Sequence, residues 1–370
     1  MKNLLRKLIS KLLQINNKFR VHLIQGNRFK FSKSNLNLSF KELDKRKWNL
    51  LWTKIKKSNL LQSWEYGDSK KFAESLNVKR YVLEDREGKS KALVQVLKKN
   101  INFLGFPLGS IVRINRGPLL LDCEINHNDY IDKYCTVLLK IFTEARRKKW
   151  WLILISPEVE YSYFNKQKLK SSGLFFRSKF GWGSSLVSLN KKNDEILAGF
   201  KPHWRRCFRK SLKNDIKLER YVNDNLSAEL IIDYYYTLQK EKGFEGISEN
   251  LIREMLKQKG ETWRFNTYLA KIVKSKDEFL SILVTVIHGD TAIYLLGYTN
   301  PKGRSLNASY FLFWNAILDC KEFGCKWFDL GGLNNKTSPG IKAFKNGFNG
   351  DKYDLVGEAF VIPSLSFIFN

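Results

Sequence analysis

Two short stretches decide how the fold is read: Arg147-Lys148-Lys149-Trp150-Trp151-Leu152 and Gly324-Cys325-Lys326-Trp327-Phe328-Asp329. In each, the charged or glycine-marked end of a helical pattern runs directly into a Trp-led apolar run of strand length. Before the first stretch, helical periodicity covers 128–149, and two strand-like runs, 80–84 and 91–97, flank the turn Arg86-Glu87-Gly88. Before the second, a hairpin over 279–288 and 291–296 turns at Gly289-Asp290, and a helix over 305–323 is stopped by Gly324. The two Trp-led runs lie 177 residues apart, too far for a solenoid repeat. Hairpin, helix and Trp-led strand used twice predict a duplicated α/β (α+β) domain with mixed sheets flanked by helices.

Working outward, 41–56 and 63–76 read as helices, the second capped by Ser63 ahead of Trp64 and Glu65. The run 111–122 reads as a strand interrupted at Gly117-Pro118, and 150–155 as a buried strand. The expected organisation is a tether over 1–38, a first domain over 39–185 and a second over 186–347, with 348–370 able to return to the first.

The chain has 370 residues, 43% apolar and 14% aromatic, enough for two packed cores and incompatible with wholesale disorder. Five cysteines, Cys123, Cys135, Cys207, Cys320 and Cys325, are too sparse for a disulfide scaffold and point to a reducing, cytoplasmic compartment. No apolar run reaches the roughly 18 residues of a spanning helix.

The net charge of +29 is concentrated. From Lys2 to Lys41 there are ten basic residues and no acid, and from Lys201 to Arg220 eight basic residues against Asp215 and Glu219. Both windows suit a polyanion, and both are also readable as solvated basic surface. Within the first, Leu4, Leu5, Leu8, Ile9, Leu12 and Leu13 form an apolar stripe among Lys2, Arg6, Lys7 and Lys11. Such a basic amphipathic helix either lies on an anionic membrane surface through residues 1–20 or packs on the protein body.

Much chemistry lacks sequence support. His22, His127, His203 and His288 fall at no metal-ligand spacing, so no metal site is expected. No GxxxxGK[ST], GxGxxG or GxSxG motif occurs. What remains is a transferase acting by positioning and charge stabilisation. Two segments can carry it. Trp327-Phe328-Asp329-Leu330-Gly331-Gly332-Leu333 ends a strand in a double glycine, where backbone approaches a ligand closely. Pro339-Gly340-Ile341-Lys342-Ala343-Phe344-Lys345-Asn346-Gly347-Phe348 sets Lys345 among apolar residues, where a desolvated ammonium acts strongly on an oxyanion. The plainer reading of Lys345 is an amphipathic turn with its ammonium in water.

With these residues the sequence resembles the FemABX family of aminoacyl-tRNA-dependent peptidyltransferases, whose fold is two tandem domains of the GNAT acetyltransferase type. The resemblance runs over roughly 60–357. It rests on Leu61-Gln62-Ser63-Trp64-Glu65-Tyr66-Gly67, Arg116-Gly117-Pro118-Leu119-Leu120-Leu121-Asp122, the basic helix from His203 to Lys213, Phe328-Asp329-Leu330-Gly331-Gly332 and Gly340-Ile341-Lys342-Ala343-Phe344-Lys345. It implies that Lys345 steadies the tetrahedral intermediate, that Asp122 belongs to the acceptor cleft and orients the attacking amine, and that Lys70 contacts acceptor phosphates. Trp64, Tyr66, Arg116, Tyr294 and Phe344 are the accompanying substrate-binding candidates. Arg205, Arg206, Arg209, Lys210 and Lys213 are the tRNA-phosphate candidates. Surface, snorkelling and loop-capping roles are the plain alternatives for Lys70, Lys345 and Asp122.

The expected activity is transfer of an amino acid from aminoacyl-tRNA, as co-substrate and without a cofactor, to an amine of a peptidoglycan precursor. Two departures bear on this. No arginine occurs between Gly243 and Ser248, where compact relatives carry one, and a lipid-linked acceptor would suit the amphipathic N-terminus. Between Lys191 and Tyr234 there is room for one basic helix but no long helical arm. The alternatives are an N-acyltransferase using acetyl-CoA or another acyl-CoA on an amino sugar or envelope glycan, and a non-catalytic membrane- or polyanion-binding protein. Against the first, Gly303-Arg304-Ser305-Leu306-Asn307-Ala308 lacks the usual pyrophosphate loop.

Overall fold

The two Trp-led stretches form equivalent strands in two separate sheets of the computed structural model, which describes residues 38–364 except 104–105, 122–126, 179–180, 244–245, 274–278 and 334–336. The amphipathic stripe within residues 1–37 and the candidate Asp122 lie outside the described residues.

In chain order the first strands are β1 (Ser39–Glu42), β2 (Asn77–Glu84), β3 (Ser90–Phe103), β4 (Phe106–Asn115), β5 (Leu119–Leu120), β6 (Trp150–Ser156) and β7 (Phe175–Phe176). There follow β8 (Gly183–Ser188), β9 (Ile216–Val222), β10 (Trp263–Ile272), β11 (Phe279–His288), β12 (Thr291–Thr299), β13 (Trp327–Asp329), β14 (Asp351–Asp354) and β15 (Ala359–Val361). The first sheet is ordered β1-β2-β3-β4-β6-β15-β7 with β5 on β3; the second is β14-β8-β13-β12-β11-β10-β9.

Each sheet is an antiparallel meander closed by one parallel strand reached through a long helix. The helix His127–Arg147 carries the chain to β6, where Trp150 pairs with Ser110 of β4. The helix Ala308–Glu322 carries it to β13, where Trp327 pairs with Thr291 of β12. A parallel neighbour requires such a crossover. The first helix buries Tyr134, Leu138, Ile141, Phe142 and Ala145, at three- and four-residue spacing, on Val94, Val112, Ile114 and Ile153. The second buries Leu312, Phe313, Ala316, Ile317 and Cys320 on Leu283, Ala292 and Phe328. Each fully buried large side chain contributes roughly 1.5–3 kcal/mol.

The chain returns once to the first half. β8 pairs with β13 and β14 in the second sheet, while β15, from the far end of the chain, lies between β6 and β7 in the first. The fold is therefore mixed α/β in two linked sheets, and removing the end of the chain would take β15 out of the first.

Several boundaries differ from expectation. Phe40 and Lys41 are in β1, where the Phe40 ring stacks on Tyr81 at 4.2 Å, and the helix begins only at Lys45, where the Asp44 carboxylate accepts from the Lys47 N–H. β4 ends at Asn115, because Arg116 takes φ +47 and turns the chain before β5. The late helix is split into Pro301–Ser305 and Ala308–Glu322 at Asn307, φ +58. Gly303 lies against β11: an added Cβ would meet the Leu280 carbonyl oxygen at 2.2 Å. We expect Gly303→Ala to lower stability by about 1–3 kcal/mol, measured by urea unfolding.

The Ser63 cap is formed, its hydroxyl accepting from the Tyr66 N–H at 3.3 Å. Cys135, Cys207, Cys320 and Cys325 are buried free thiols. Among the described residues, no helix is long and apolar enough to cross a membrane, and no three metal-ligating side chains converge.

Candidate active site

The parallel strand that closes each sheet behaves differently in the two halves. β4 and β6 stay paired from Ser110–Trp150 to Asn115–Ser156. β12 and β13 pair only at Thr291–Trp327, Ala292–Phe328 and Ile293–Asp329. Beyond that, β12 continues along β11, whereas 330–333 follows β8 through Leu330 N–H to Ser185 O at 3.0 Å and Leu333 N–H to Gly183 O at 2.7 Å. The two strands part beyond Ile293–Asp329, and the double glycine follows the parting.

Lys345 reaches the point where the strands part, beside Tyr294 and Gly332. It sits in the last turn of the helix Pro339–Asn346, is 6% exposed, and donates to the Gly332 carbonyl at 3.0 Å. Its ammonium lies 5.2 Å from the centre of the Tyr294 ring. Burial lowers its pKa to about 8, against the upward pull of the Asp329 carboxylate. The snorkelling alternative is thereby set aside, because the ammonium is desolvated and not in water. Gly331 is required here: φ is +67, and a Cβ would meet the Tyr294 carbonyl oxygen at 2.8 Å and the Lys345 Nζ at 3.7 Å.

Asp329 ties that turn to the rest of the molecule. Its Oδ1 accepts from the Gly331 N–H at 2.8 Å and from the Ser184 hydroxyl, and its Oδ2 accepts from the Tyr353 hydroxyl at 2.8 Å. Arg116 crosses from the first sheet: it holds Glu158 through two bonds of 2.8 and 2.6 Å, donates to Tyr353 at 3.2 Å and approaches Asp329 at 3.9 Å. Burial opposes the guanidinium charge, but Glu158, Tyr353 and Asp329 outweigh it and raise the pKa. Burial likewise raises the Tyr353 pKa. Glu158, Tyr353 and Ser184 carry no signal in the sequence, and Asp329 is visible there only as part of a motif.

Behind this network lies a cleft of about 520 Å³ walled by both halves, lined among others by Arg116, Glu158, Asp329, Tyr353, Lys57 and Trp327. Its volume is in the range of small-molecule sites. Of the candidates read from sequence, Arg116 lines the cleft and Lys345 does not, although Asp329, which does, acts electrostatically on the Lys345 ammonium.

The remaining candidates lie elsewhere. Lys70 is ion-paired with Glu74. Trp64 donates to Asp68 at 2.9 Å and supports the Arg80 guanidinium, 3.7 Å above its ring. Tyr66 is buried in a core with Tyr235 and Ile293. Phe344 packs edge-on to Tyr310 and Phe313. Tyr294 adjoins Lys345, and burial raises its pKa.

The basic candidates share the helix Pro202–Ser211 and the residues just after it. That helix buries Trp204, Cys207 and Phe208 and turns Arg206, Arg209 and Lys210 outward; Lys213 is exposed beyond it, and Arg205 is half-buried. Its Trp204 lies 4.8 Å from Phe348 and 5.3 Å from Tyr310, and Lys201 N–H bonds the Gly347 carbonyl at 2.8 Å. The buried side of the helix that bears this basic face thus packs against the C-terminal end of the helix that carries Lys345.

The FemAB family pattern matches residues 249–367, which include the parting strands, the double glycine and Lys345. Among solved structures, FemX superimposes with a TM-score of 0.71 at 17% identity, over 90% of this chain and 100% of that one. A protein of unknown function from Bacteroides thetaiotaomicron VPI-5482 gives 0.51 at 12% identity, over 88% and 99%. A tandem GNAT protein from the clavulanic acid biosynthesis pathway gives 0.50 at 9%, over 88% and 98%. At these identities the likeness establishes the tandem fold. No curated protein matches by sequence.

Proposed function

We propose, from the match of residues 249–367 to the FemAB family pattern and the fold shared with FemX, that this transferase moves an amino acid from aminoacyl-tRNA to an amine of a peptidoglycan precursor. The observation that carries the reading is the buried Lys345 ammonium at the parting of β12 and β13. An activated ester brought to the Lys345 ammonium needs no further activation. The acceptor amine attacks its carbonyl carbon, the Lys345 ammonium stabilises the oxyanion, and the ribose oxygen leaves with a proton originating from the amine. A low-dielectric surrounding makes one ammonium worth far more here than in water.

The outward basic face around Arg206, Arg209, Lys210 and Lys213 supports tRNA as donor, since the helix that bears most of it packs on the end of the Lys345 helix. Charge reversal of Arg206, Arg209 and Lys210 together should weaken tRNA binding at least about tenfold and reduce the salt slope by roughly 1 for each phosphate no longer neutralised. Filter binding at graded salt measures this.

The test of function is transfer of a labelled amino acid from charged tRNA to a lipid-linked precursor. A purified, folded protein inert with every charged tRNA rejects the reading. Thermal stabilisation by acetyl-CoA but not by charged tRNA would favour an acyl-CoA donor instead.

A further inference from the structure

β3 and β4 outrun the rest of their sheet. β2 last pairs with β3 at Asn77–Lys98, and β6 first pairs with β4 at Trp150–Ser110. Beyond Ser110 the register continues through Ile101–Gly109, Asn102–Pro107 and Phe103–Phe106, and among the described residues no other strand adjoins these pairs. At about 3.4 Å per residue, the end of β4 over 106–109 projects from the sheet by roughly 13 Å. A two-stranded ribbon of this kind has little stability of its own in water.

The ribbon is uncharged along its length and cationic at its base. Residues 100–110 carry no charged side chain. Leu108 is 42% exposed, and Trp151 is 47% exposed although its indole packs on Gly109, where a Cβ would meet the ring nitrogen at 2.5 Å. Ile111 and Leu152, paired and half-buried, continue this apolar surface onto the sheet. Lys98 and Lys99 stand at the base on β3. Arg146, Arg147, Lys148 and Lys149 arrive from the other side, where the Ser110 N–H donates to the Lys149 carbonyl at 3.0 Å. Neither 92–121 nor 145–157 contains an acidic residue. Glu144 is bound by Lys140 at 2.8 Å and by Arg147 at 3.1 Å, and Glu74 is bound by Lys70.

We propose that this ribbon docks the protein on an anionic lipid surface, with Leu108 and Trp151 at the boundary of headgroups and acyl chains and the base cations on the lipid phosphates. Indole and aliphatic side chains favour that boundary, and lysine and arginine reach back from it to the headgroups. The projection is sufficient for the roughly 5–10 Å depth at which interfacial elements lie. A second copy of this chain is a poor occupant, since a net charge of +29 would bring like charges together. The ribbon lies at the end of β4 opposite Arg116, is separate from the apolar stripe within residues 1–37, and does not depend on the proposed transfer.

The experiment is co-sedimentation of the full chain with vesicles of equal parts phosphatidylglycerol and phosphatidylcholine, and with vesicles of phosphatidylcholine alone. Binding to the mixed vesicles should be at least about tenfold tighter. Lys99→Gln, Arg146→Gln and Lys149→Gln together should weaken it at least about tenfold, and so should Leu108→Asp alone. Lipid brominated on its acyl chains should quench part of the tryptophan fluorescence in the natural chain and lose that part in Trp151→Phe. All the substituted side chains are exposed, so folding is expected to survive and is checked by thermal melting. Absence of binding, equal binding to both vesicles, or quenching that persists in Trp151→Phe overturns the proposal. Indifference to both sets of substitutions would assign the binding to residues 1–20 and overturn it as well. A dimer that Leu108→Asp abolishes, without vesicle binding, would make the ribbon a contact between copies and have the same consequence.

Discussion

Replacing Lys345 with methionine is expected to lower aminoacyl transfer by about 10²–10³ while making the fold more stable at neutral pH. The two effects share one cause. The ammonium is buried, with a pKa lowered to about 8 from an ordinary 10.5. The unfolded chain therefore binds this proton more tightly than the folded one. Below about pH 8 the folded state carries the full cost of the buried charge; between about pH 8 and pH 10.5 that cost is relieved as the group deprotonates. Methionine removes the charge at nearly the same volume, so urea unfolding should show a gain of about 1–3 kcal/mol at pH 7 that vanishes above pH 10.5. A merely structural lysine, with its bond to Gly332, would give the opposite sign of stability change.

Arg116→Met is expected to be the most destabilising single change at the junction of the halves, about 3–5 kcal/mol by urea unfolding. Methionine leaves Glu158 and Asp329 without the guanidinium between them; both side chains are largely buried. Neutralising one carboxylate as well, in Arg116→Met with Glu158→Gln, should recover part of the loss, because the cost comes from uncompensated charge. Additive losses in the double variant would mean that the two side chains do not share one electrostatic network.

What is legible in the sequence is what is local. Ser63 before Trp64, the 128–149 periodicity and the Trp-led runs at 150 and 327 each carry their signal within one helical turn or one strand. The late start of the first helix is hard to read because Asp44, a good cap, sits only two residues beyond Glu42 of a short edge strand. The helices Asn225–Lys242 and Glu249–Lys257 escape the sequence reading although Asp224 and Ser248 cap them. The register of β15 on β6 has no local signature beyond the expected return of 348–370, since it pairs segments from distant parts of the chain.

The site divides the same way. Lys345 and the double glycine are close in sequence and are read together. Arg116, Glu158, Ser184, Asp329 and Tyr353 form one network from five separate segments, and only the folded topology brings them within hydrogen-bonding reach. Lys70 is singled out by likeness alone, and its ion pair with Glu74 depends on a helical turn that the motif does not specify.

The most direct measurement follows two quantities together from about pH 6 to pH 10: the single-turnover transfer rate, and the titration of the Lys345 ammonium by mass-spectrometric amine labelling. The rate should fall as Lys345 loses its proton, both with a midpoint of about 8, and both midpoints should move down together in Asp329→Asn. A transfer rate that stays level through the Lys345 midpoint would contradict the assignment of this ammonium to the reacting centre.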